Sequence, residues 1–158
     1  MRNFVSTGLV LSCASLVAAR HAAAVAPGDA CGLLTKGEID AAMSTPMGNG
    51  RAITAKACQW RQPVKQGDPG AIVDVTIINA QRYNIGKAIA GSSRFKVIPV
   101  NALGDEAYHS ESTDGRLTDL RVKKGESYVA IHVWGAGVPI PQIEPKELAL
   151  AKAILPKL

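Results

Sequence analysis

Apolar and polar residues alternate most regularly from Ala71 to Asn79, a segment dense in β-branched residues. Val73, Val75 and Ile77 fall on one face of this segment, which is therefore predicted to be a strand. Cys58-Gln59-Trp60-Arg61 alternates in the same way. It is predicted to be a second strand, with the cysteine and the tryptophan together on its inner face.

Two further runs alternate, Leu117 to Lys123 and Ser127 to Trp134, and only a short polar link joins them. This pattern predicts a β-hairpin across Lys124-Gly125-Glu126. Successive side chains of a strand point to opposite faces. In the second strand of the hairpin, Tyr128, Ala130, His132 and Trp134 would thus share one face, and Val129, Ile131 and Val133 the other. Phe95 to Val100 is predicted to be extended as well.

The first helix is predicted to begin at Thr35, because Thr35 and Glu38 have the spacing of a capping box. Its buried face would carry Ile39, Ala42 and Met43. The helix should be short, since Pro46 and two glycines soon follow.

A second helix is predicted over Ala80 to Ala90, with Gly91 ending it. Its expected buried residues are Tyr83, Ile85 and Ile89. The third helix would open at Pro145, because proline is tolerated at the first helical position. Its apolar side would carry Leu148, Leu150, Ala151, Ile154 and Leu155.

These elements predict an α+β fold: an antiparallel sheet packed by N-terminal, middle and C-terminal helices. The chain of 158 residues contains no internal repeat and no evident interdomain linker. One α+β domain over residues 25–158 is expected.

The N-terminal segment has the pattern of an export signal. Met1-Arg2-Asn3 is basic, Phe4 to Ala19 is mostly apolar, and Ala22-Ala23-Ala24 suits a signal peptidase. Residues 1–24 are therefore predicted to be a signal peptide, with cleavage after Ala26 as an alternative. Lipidation at Cys13, which lies in a loose lipobox, is a further alternative and would anchor the protein to a membrane. The apolar run is too short and too rich in serine for a transmembrane span.

Charge argues against a nucleic-acid partner. The chain has 18 basic and 13 acidic residues, a formal charge of +5. Removing Arg2 and Arg20 with the signal lowers this charge by two. The remaining basic residues are dispersed except at Arg121-Val122-Lys123-Lys124, and aromatic residues are too few to form base-stacking platforms.

Cys31 and Cys58 are the two cysteines that remain after removal of the signal. An even pair in an exported chain predicts a disulfide. Such a bridge would hold the N-terminal helix against the sheet and stabilise the domain by about 3 to 4 kcal/mol. The alternative is a pair of free buried thiols.

Several short motifs resemble those of a loose group of small exported bacterial proteins, many of them lipoproteins of unknown function. The resemblance rests on Cys31-Gly32-Leu33-Leu34-Thr35 with Glu38, on Cys58-Gln59-Trp60, on Leu103-Gly104-Asp105-Glu106-Ala107-Tyr108, and on a strand ending near Val133 before an Ala/Leu-rich helix. Some proteins of this kind have a PsbP-like arrangement, a sheet sandwiched by helices. The resemblance therefore implies a fold of this kind, but it brings no catalytic residues to this chain.

No common catalytic signature or cofactor motif occurs in the sequence. Accordingly no catalytic residue, metal ligand or cofactor is predicted. An alternative function is that of a small acid/base hydrolase using His109 with Asp105 or Glu106, which lie close to it in sequence. The alternative for these residues is structural: Gly104 permits a tight turn, Asp105 binds backbone donors there, and Tyr108 packs.

The leading hypothesis is a non-enzymatic envelope or secreted domain. It would bind an unknown envelope protein, or a small ligand in a groove between sheet and helix. The expected contact surface comprises Trp134, Tyr128 and the loop from Gly135 to Pro141, because aromatic residues at a strand end often anchor partners. His109, Asp105 and Glu106 are the other candidate binding residues. An inhibitor of a secreted hydrolase, acting through a protruding loop, is a third possibility.

Overall fold

The computed structural model describes residues 29–65, 67, 70–92, 95–112, 118–135 and 140–158. The predicted signal peptide, its two cleavage sites and the lipidation site at Cys13 lie outside these residues. So do Leu117 and residues 136–139 of the predicted contact loop.

One antiparallel sheet of seven strands forms the centre of the described structure. The strands are β1 Arg51–Thr54, β2 Ala57–Arg61, β3 Ala71–Asn79, β4 Phe95–Val100, β5 Glu106–Ser112, β6 Thr118–Lys124 and β7 Ser127–Gly135. They lie in the order β1-β2-β3-β7-β6-β5-β4. The predicted strands and the β6–β7 hairpin are confirmed, and the hairpin turns at Gly125 and Glu126.

Three α-helices pack on the sheet: α1 Lys36–Met43, α2 Tyr83–Ser92 and α3 Ile140–Ile154. Short 3-10 helices cover Cys31–Leu33, Ala80–Arg82 and Leu155–Lys157. Helices α1 and α3 lie on one face of the sheet, and α2 lies on the other. The α+β fold with N-terminal, middle and C-terminal helices is thus confirmed.

The main core lies between the sheet and the pair α1 and α3. Alternation in the central strands turns every second residue to this side, and most of these residues are apolar and buried. Val73 and Val75 come from β3, and Ile131 comes from β7. Ile39 of α1 and Leu150 of α3 pack against them. Burial of apolar area on this face is the main force that holds α1 and α3 against the sheet.

The disulfide between Cys31 and Cys58 is confirmed, with Cα atoms 5.0 Å apart. It joins the turn that precedes α1 to β2. The capping box is also confirmed: Glu38 Oε2 accepts from the Thr35 N–H at 2.7 Å, and Thr35 Oγ1 accepts from the Glu38 N–H at 3.3 Å. Lys157 Nζ donates to Glu38 Oε2 at 2.7 Å, so the C-terminus contacts the start of α1.

The prediction for the buried face of α2 was wrong for two of its three residues. Tyr83 is buried as expected, but Ile85 and Ile89 are 60% and 61% exposed. The helix docks instead through Tyr83, Gly86 and Ala90, which recur at helical spacing. Small residues let α2 approach the sheet closely, since a Cβ on Gly86 would lie only 3.0 Å from Arg121 Nη1. Both isoleucines consequently stay largely exposed to solvent.

The predicted ends of two helices also differ from the structure. Gly91 lies inside α2, which continues to Ser92. Helix α3 begins at Ile140, so Pro145 lies inside it and not at its first position. Pro145 still leaves one carbonyl of the preceding turn without its usual N–H partner. The apolar stripe continues back to Ile143, which is buried against the sheet.

Candidate functional site: a groove between α2 and the sheet

A row of polar residues crosses the face of the sheet that carries α2. Strand register places Gln59 opposite Asp74, Asp74 opposite His132, and Ser110 opposite Asp119. The register of β6 and β7, with Leu120 opposite Ile131, sets Asp119 beside His132. The row therefore runs over five neighbouring strands. Sheet faces that pack fully against a helix are apolar, so this row indicates a different use.

Next to this row, a groove of about 460 Å³ lies between α2 and the sheet. Its volume is in the range of small-molecule pockets. Apolar side chains of α2 and β4 form one wall, and polar side chains of β5, β6 and β7 form the floor. The lining residues are Gly86, Ile89, Ala90, Phe95, Ser110, Asp119, Arg121 and His132.

Arg121 is the cation of the groove, and its position is fixed by several contacts. Its Nε donates to Asp119 Oδ2 at 2.5 Å, and its Nη1 donates to the Tyr108 hydroxyl at 3.4 Å. Burial opposes its charge, but the Asp119 carboxylate outweighs burial and raises the pKa of Arg121 above its usual value. A guanidinium has five N–H donors. The hydrogen bonds to Asp119 and Tyr108 use two of these five donors.

Three tyrosine rings pack beneath the N-terminal half of α2. The Tyr83 ring meets those of Tyr108 and Tyr128 edge to face, with both centroid distances 5.4 Å. Tyr128 is only 2% exposed, so its predicted place on a contact surface was wrong. Burial raises the pKa of Tyr128 to about 12. The tyrosines thus support Arg121 from below and do not offer an outer surface.

His132 lies between Asp74 and Asp119 on the floor of the groove. Burial lowers the pKa of His132, and the two neighbouring carboxylates only partly offset this. The imidazole is therefore neutral near pH 7, with one nitrogen able to donate and the other able to accept. Its ring stacks on that of Trp134, with centroids 6.2 Å apart and an interplanar angle of 27°.

The residues of the predicted acid/base cluster do not meet. His109 is buried on the opposite face of the sheet, beneath α3. Asp105 Oδ2 accepts from the Gly125 N–H at 2.7 Å, and Glu106 pairs with Lys87 of α2. Asp105 thus binds a backbone donor, but that donor belongs to the β6–β7 turn and not to the turn at Gly104, where its structural interpretation placed it. The reason is strand geometry: alternation sends the side chains of Glu106 and His109 to opposite faces.

The partner of His109 is Glu147, which sequence reasoning missed. Glu147 Oε2 lies 3.3 Å from His109 Nδ1, and Glu147 Oε1 accepts from the Val133 N–H at 3.1 Å. Burial raises the pKa of the Glu147 carboxyl. A signal was present: position 147 falls four residues after Ile143 and three before Leu150, inside the apolar stripe of α3.

Of the two aromatic residues of the predicted contact surface, Trp134 is exposed, with 40% of the residue reaching solvent. It follows His132 on the same face of β7, beyond the end of the groove. Among the residues that the structure describes, no cluster of three His, Cys, Asp or Glu side chains suits a metal ion. No helix in the described part of the chain has the length and hydrophobicity needed to cross a membrane.

Comparison with known proteins found no matching family, no matching characterised protein and no matching solved structure. The resemblance to small exported bacterial proteins with a PsbP-like arrangement therefore stays a prediction.

Proposed function

We propose that this protein is an exported, non-enzymatic binding domain that holds a small ligand in the groove between α2 and the sheet. One observation carries the proposal. An apolar wall with Ile89 and Phe95 faces a floor with Arg121, Asp119 and His132 across a space of about 460 Å³. A mostly apolar cleft with a few fixed polar groups is the usual form of a small-molecule site.

The lining favours an uncharged amphipathic ligand. The charges of Arg121 and Asp119 offset each other in the groove, and His132 is neutral near pH 7 because burial lowers its pKa. A ligand with a net charge would gain little from this floor. A molecule with an aromatic or aliphatic body and one or two hydrogen-bonding groups would match the apolar wall and the polar floor.

Export is supported by the disulfide between Cys31 and Cys58, since such bonds persist in oxidising compartments. The signal pattern of residues 1–24 and the resemblance to exported bacterial proteins support the same location. In this proposal the protein is periplasmic or extracellular, with membrane attachment only if Cys13 is lipidated.

The alternative hydrolase hypothesis lacks the group of catalytic residues that it requires, because His109 does not meet Asp105 or Glu106. A buried His109 beneath α3 also lacks the open space that a substrate needs beside a general base. The inhibitor hypothesis predicts a protruding loop rather than a cavity, whereas the present proposal rests on a cavity.

Titration with N-phenylnaphthylamine, an uncharged fluorescent amphiphile, tests the groove. Ile89→Ala removes part of the apolar wall, and Ile85→Ala removes an equally exposed isoleucine that does not line it. We expect Ile89→Ala to weaken binding several-fold and Ile85→Ala to bind like the wild type. Equal effects of the two substitutions, or no binding by the wild type, would refute the proposed site.

A further inference from the structure

A second polar surface lies on the same face of the sheet, outside the groove, where β2, β3 and β7 are not covered by α2. Trp134 Nε1 donates to Asp74 Oδ2 at 2.7 Å. Gln59 Nε2 donates to Asp74 Oδ1 at 2.7 Å, and Arg61 Nε donates to Gln59 Oε1 at 2.6 Å. We call these four residues, Arg61, Gln59, Asp74 and Trp134, the planar strip.

The planar strip is connected internally by hydrogen bonds. Both oxygens of Asp74 are engaged, and Gln59 uses its oxygen and its nitrogen within the strip. The Trp134 ring is held on one side by its hydrogen bond to Asp74 and on another by the His132 ring. An exposed aromatic ring that is already ordered loses little conformational entropy when a ligand covers it.

We propose that the planar strip binds the pyranose rings of a carbohydrate chain. The axial C–H groups of a pyranose pack on an indole face, and its hydroxyl groups suit planar amide, carboxylate and guanidinium groups that donate and accept side by side. Trp134 provides the indole face. Arg61 is exposed, and within the strip only its Nε takes part in a hydrogen bond. Its terminal N–H groups would donate to hydroxyl groups of the sugar.

The charge and polarity of the strip distinguish this ligand from other classes. Arg61 is its single cation and Asp74 its single anion, which gives no electrostatic basis for a nucleic-acid backbone. A protein hot spot is typically an aromatic residue within a well-packed desolvated pocket. Trp134 is instead 40% exposed and lies beside polar side chains, of which Asp74 binds its Nε1 and His132 stacks on its ring, while Gln59 is buried beside Asp74. This site goes beyond the groove and does not depend on its occupancy.

Acrylamide quenching of tryptophan fluorescence provides a direct test. The chain has two tryptophans, and Trp60 is 2% exposed whereas Trp134 is 40% exposed. Quenching by acrylamide therefore reports on Trp134. The full chain is titrated with maltotetraose, cellotetraose and chitotetraose up to millimolar concentrations.

We expect at least one of these sugars to reduce quenching in a saturable way. Calorimetry measures the affinity of each variant for that sugar. Trp134→Ala should weaken binding by about tenfold or more, a change that corresponds to about 1.4 kcal/mol. Asp74→Ala, which releases the indole, should weaken it less. Val64→Ala, which shortens an exposed valine outside the strip, should leave binding unchanged.

Three results would overturn this proposal. The first is that no sugar protects Trp134 at millimolar concentration. The second is a sugar affinity that survives Trp134→Ala in a variant whose circular dichroism matches the wild type. The third is protection of Trp134 that rises with protein concentration alone, because a second copy of the chain would then be the occupant.

Discussion

Glu147 Oε2 and His109 Nδ1 lie 3.3 Å apart in the core beneath α3, where neither side chain is more than 5% exposed. The two atoms do not align as a hydrogen bond. The other carboxylate oxygen accepts from the Val133 N–H near the edge of the β6–β7 pairing. Glu147 therefore joins α3 to the sheet while it carries an ionisable group into the core.

This relationship predicts a specific pH dependence of stability. Burial raises the folded-state pKa of Glu147 above its ordinary value of 4.5. Its contribution to the free energy of unfolding is thus complete below pH 4.5 and is lost as the pH rises through the folded-state pKa. Glu147→Gln keeps an acceptor for Val133 and cannot ionise. We expect this variant to gain stability relative to the wild type as the pH rises from acid to neutral.

Urea unfolding of both proteins across this pH range measures the difference and cancels the titration of all other groups. Glu147→Ala serves as the control, because it leaves the Val133 N–H unpaired and opens a cavity, at a cost of about 2 to 4 kcal/mol. A wild type that becomes more stable than Glu147→Gln as the pH rises would show that the carboxylate is ionised and paired with His109 in the folded state.

The disulfide is expected to supply a large part of the stability of this domain. Its cysteines are 27 residues apart in sequence, so reduction frees a long loop in the unfolded chain. Replacing Cys31 and Cys58 together with serine should lower the free energy of unfolding by about 2 to 4 kcal/mol. Guanidinium unfolding of the double variant and of the oxidised wild type measures this loss. Equal midpoints would contradict it.

Two glycines in α2 give a matched test of how the helix sits above Arg121. A Cβ on Gly91 would lie 3.9 Å from Val97 Cγ2, an ordinary contact, whereas a Cβ on Gly86 would lie 3.0 Å from Arg121 Nη1. Alanine in place of a helical glycine gains up to about 1 kcal/mol. We expect Gly91→Ala to show most of that gain in thermal unfolding.

Gly86→Ala should show less of that gain, because the guanidinium must move away from Asp119 or Tyr108. The same substitution should weaken N-phenylnaphthylamine binding, while Gly91→Ala should not. If both variants gained equal stability and bound the amphiphile alike, the close approach of α2 to Arg121 would not matter for either property.

The Tyr83 hydroxyl is buried and, among the described residues, has no hydrogen-bond partner. Its ring contacts Tyr108 and Tyr128 through edges that a phenylalanine would keep. An unpaired buried hydroxyl costs about 1 to 3 kcal/mol. Tyr83→Phe should therefore be as stable as the wild type or more stable by about 1 kcal/mol in urea unfolding. A clear loss of stability would indicate that the hydroxyl has a partner in solution.

Much of the fold could be predicted from local pattern. Alternation located β3 at its observed bounds, and the spacing of Thr35 and Glu38 located the start of α1. The pairing of Cys31 with Cys58 followed from their number and the predicted compartment. These features depend on neighbours in the sequence or on counting, so a single sequence contains them.

The site could not be predicted in the same way. Its floor combines Ser110, Asp119 and His132 from three strands, and only the register brings them side by side. Hydrophobicity predicts that Ile85 and Ile89 form the buried face of α2. In the structure the close approach of the helix to the sheet instead requires the small residue Gly86. A charged residue such as Glu147 is ordinarily predicted to be exposed to solvent. Only its position within the apolar stripe of α3 indicates that it is buried.

The most direct test of this account is a nitrogen-15 NMR titration of the full chain with N-phenylnaphthylamine, because it locates the bound ligand residue by residue. We predict saturable shifts in the amide signals of Ile89, Ser110, Arg121 and His132, which line the groove. Absent shifts, or shifts confined to residues on the face covered by α1 and α3, would contradict the assignment of the groove as the ligand site.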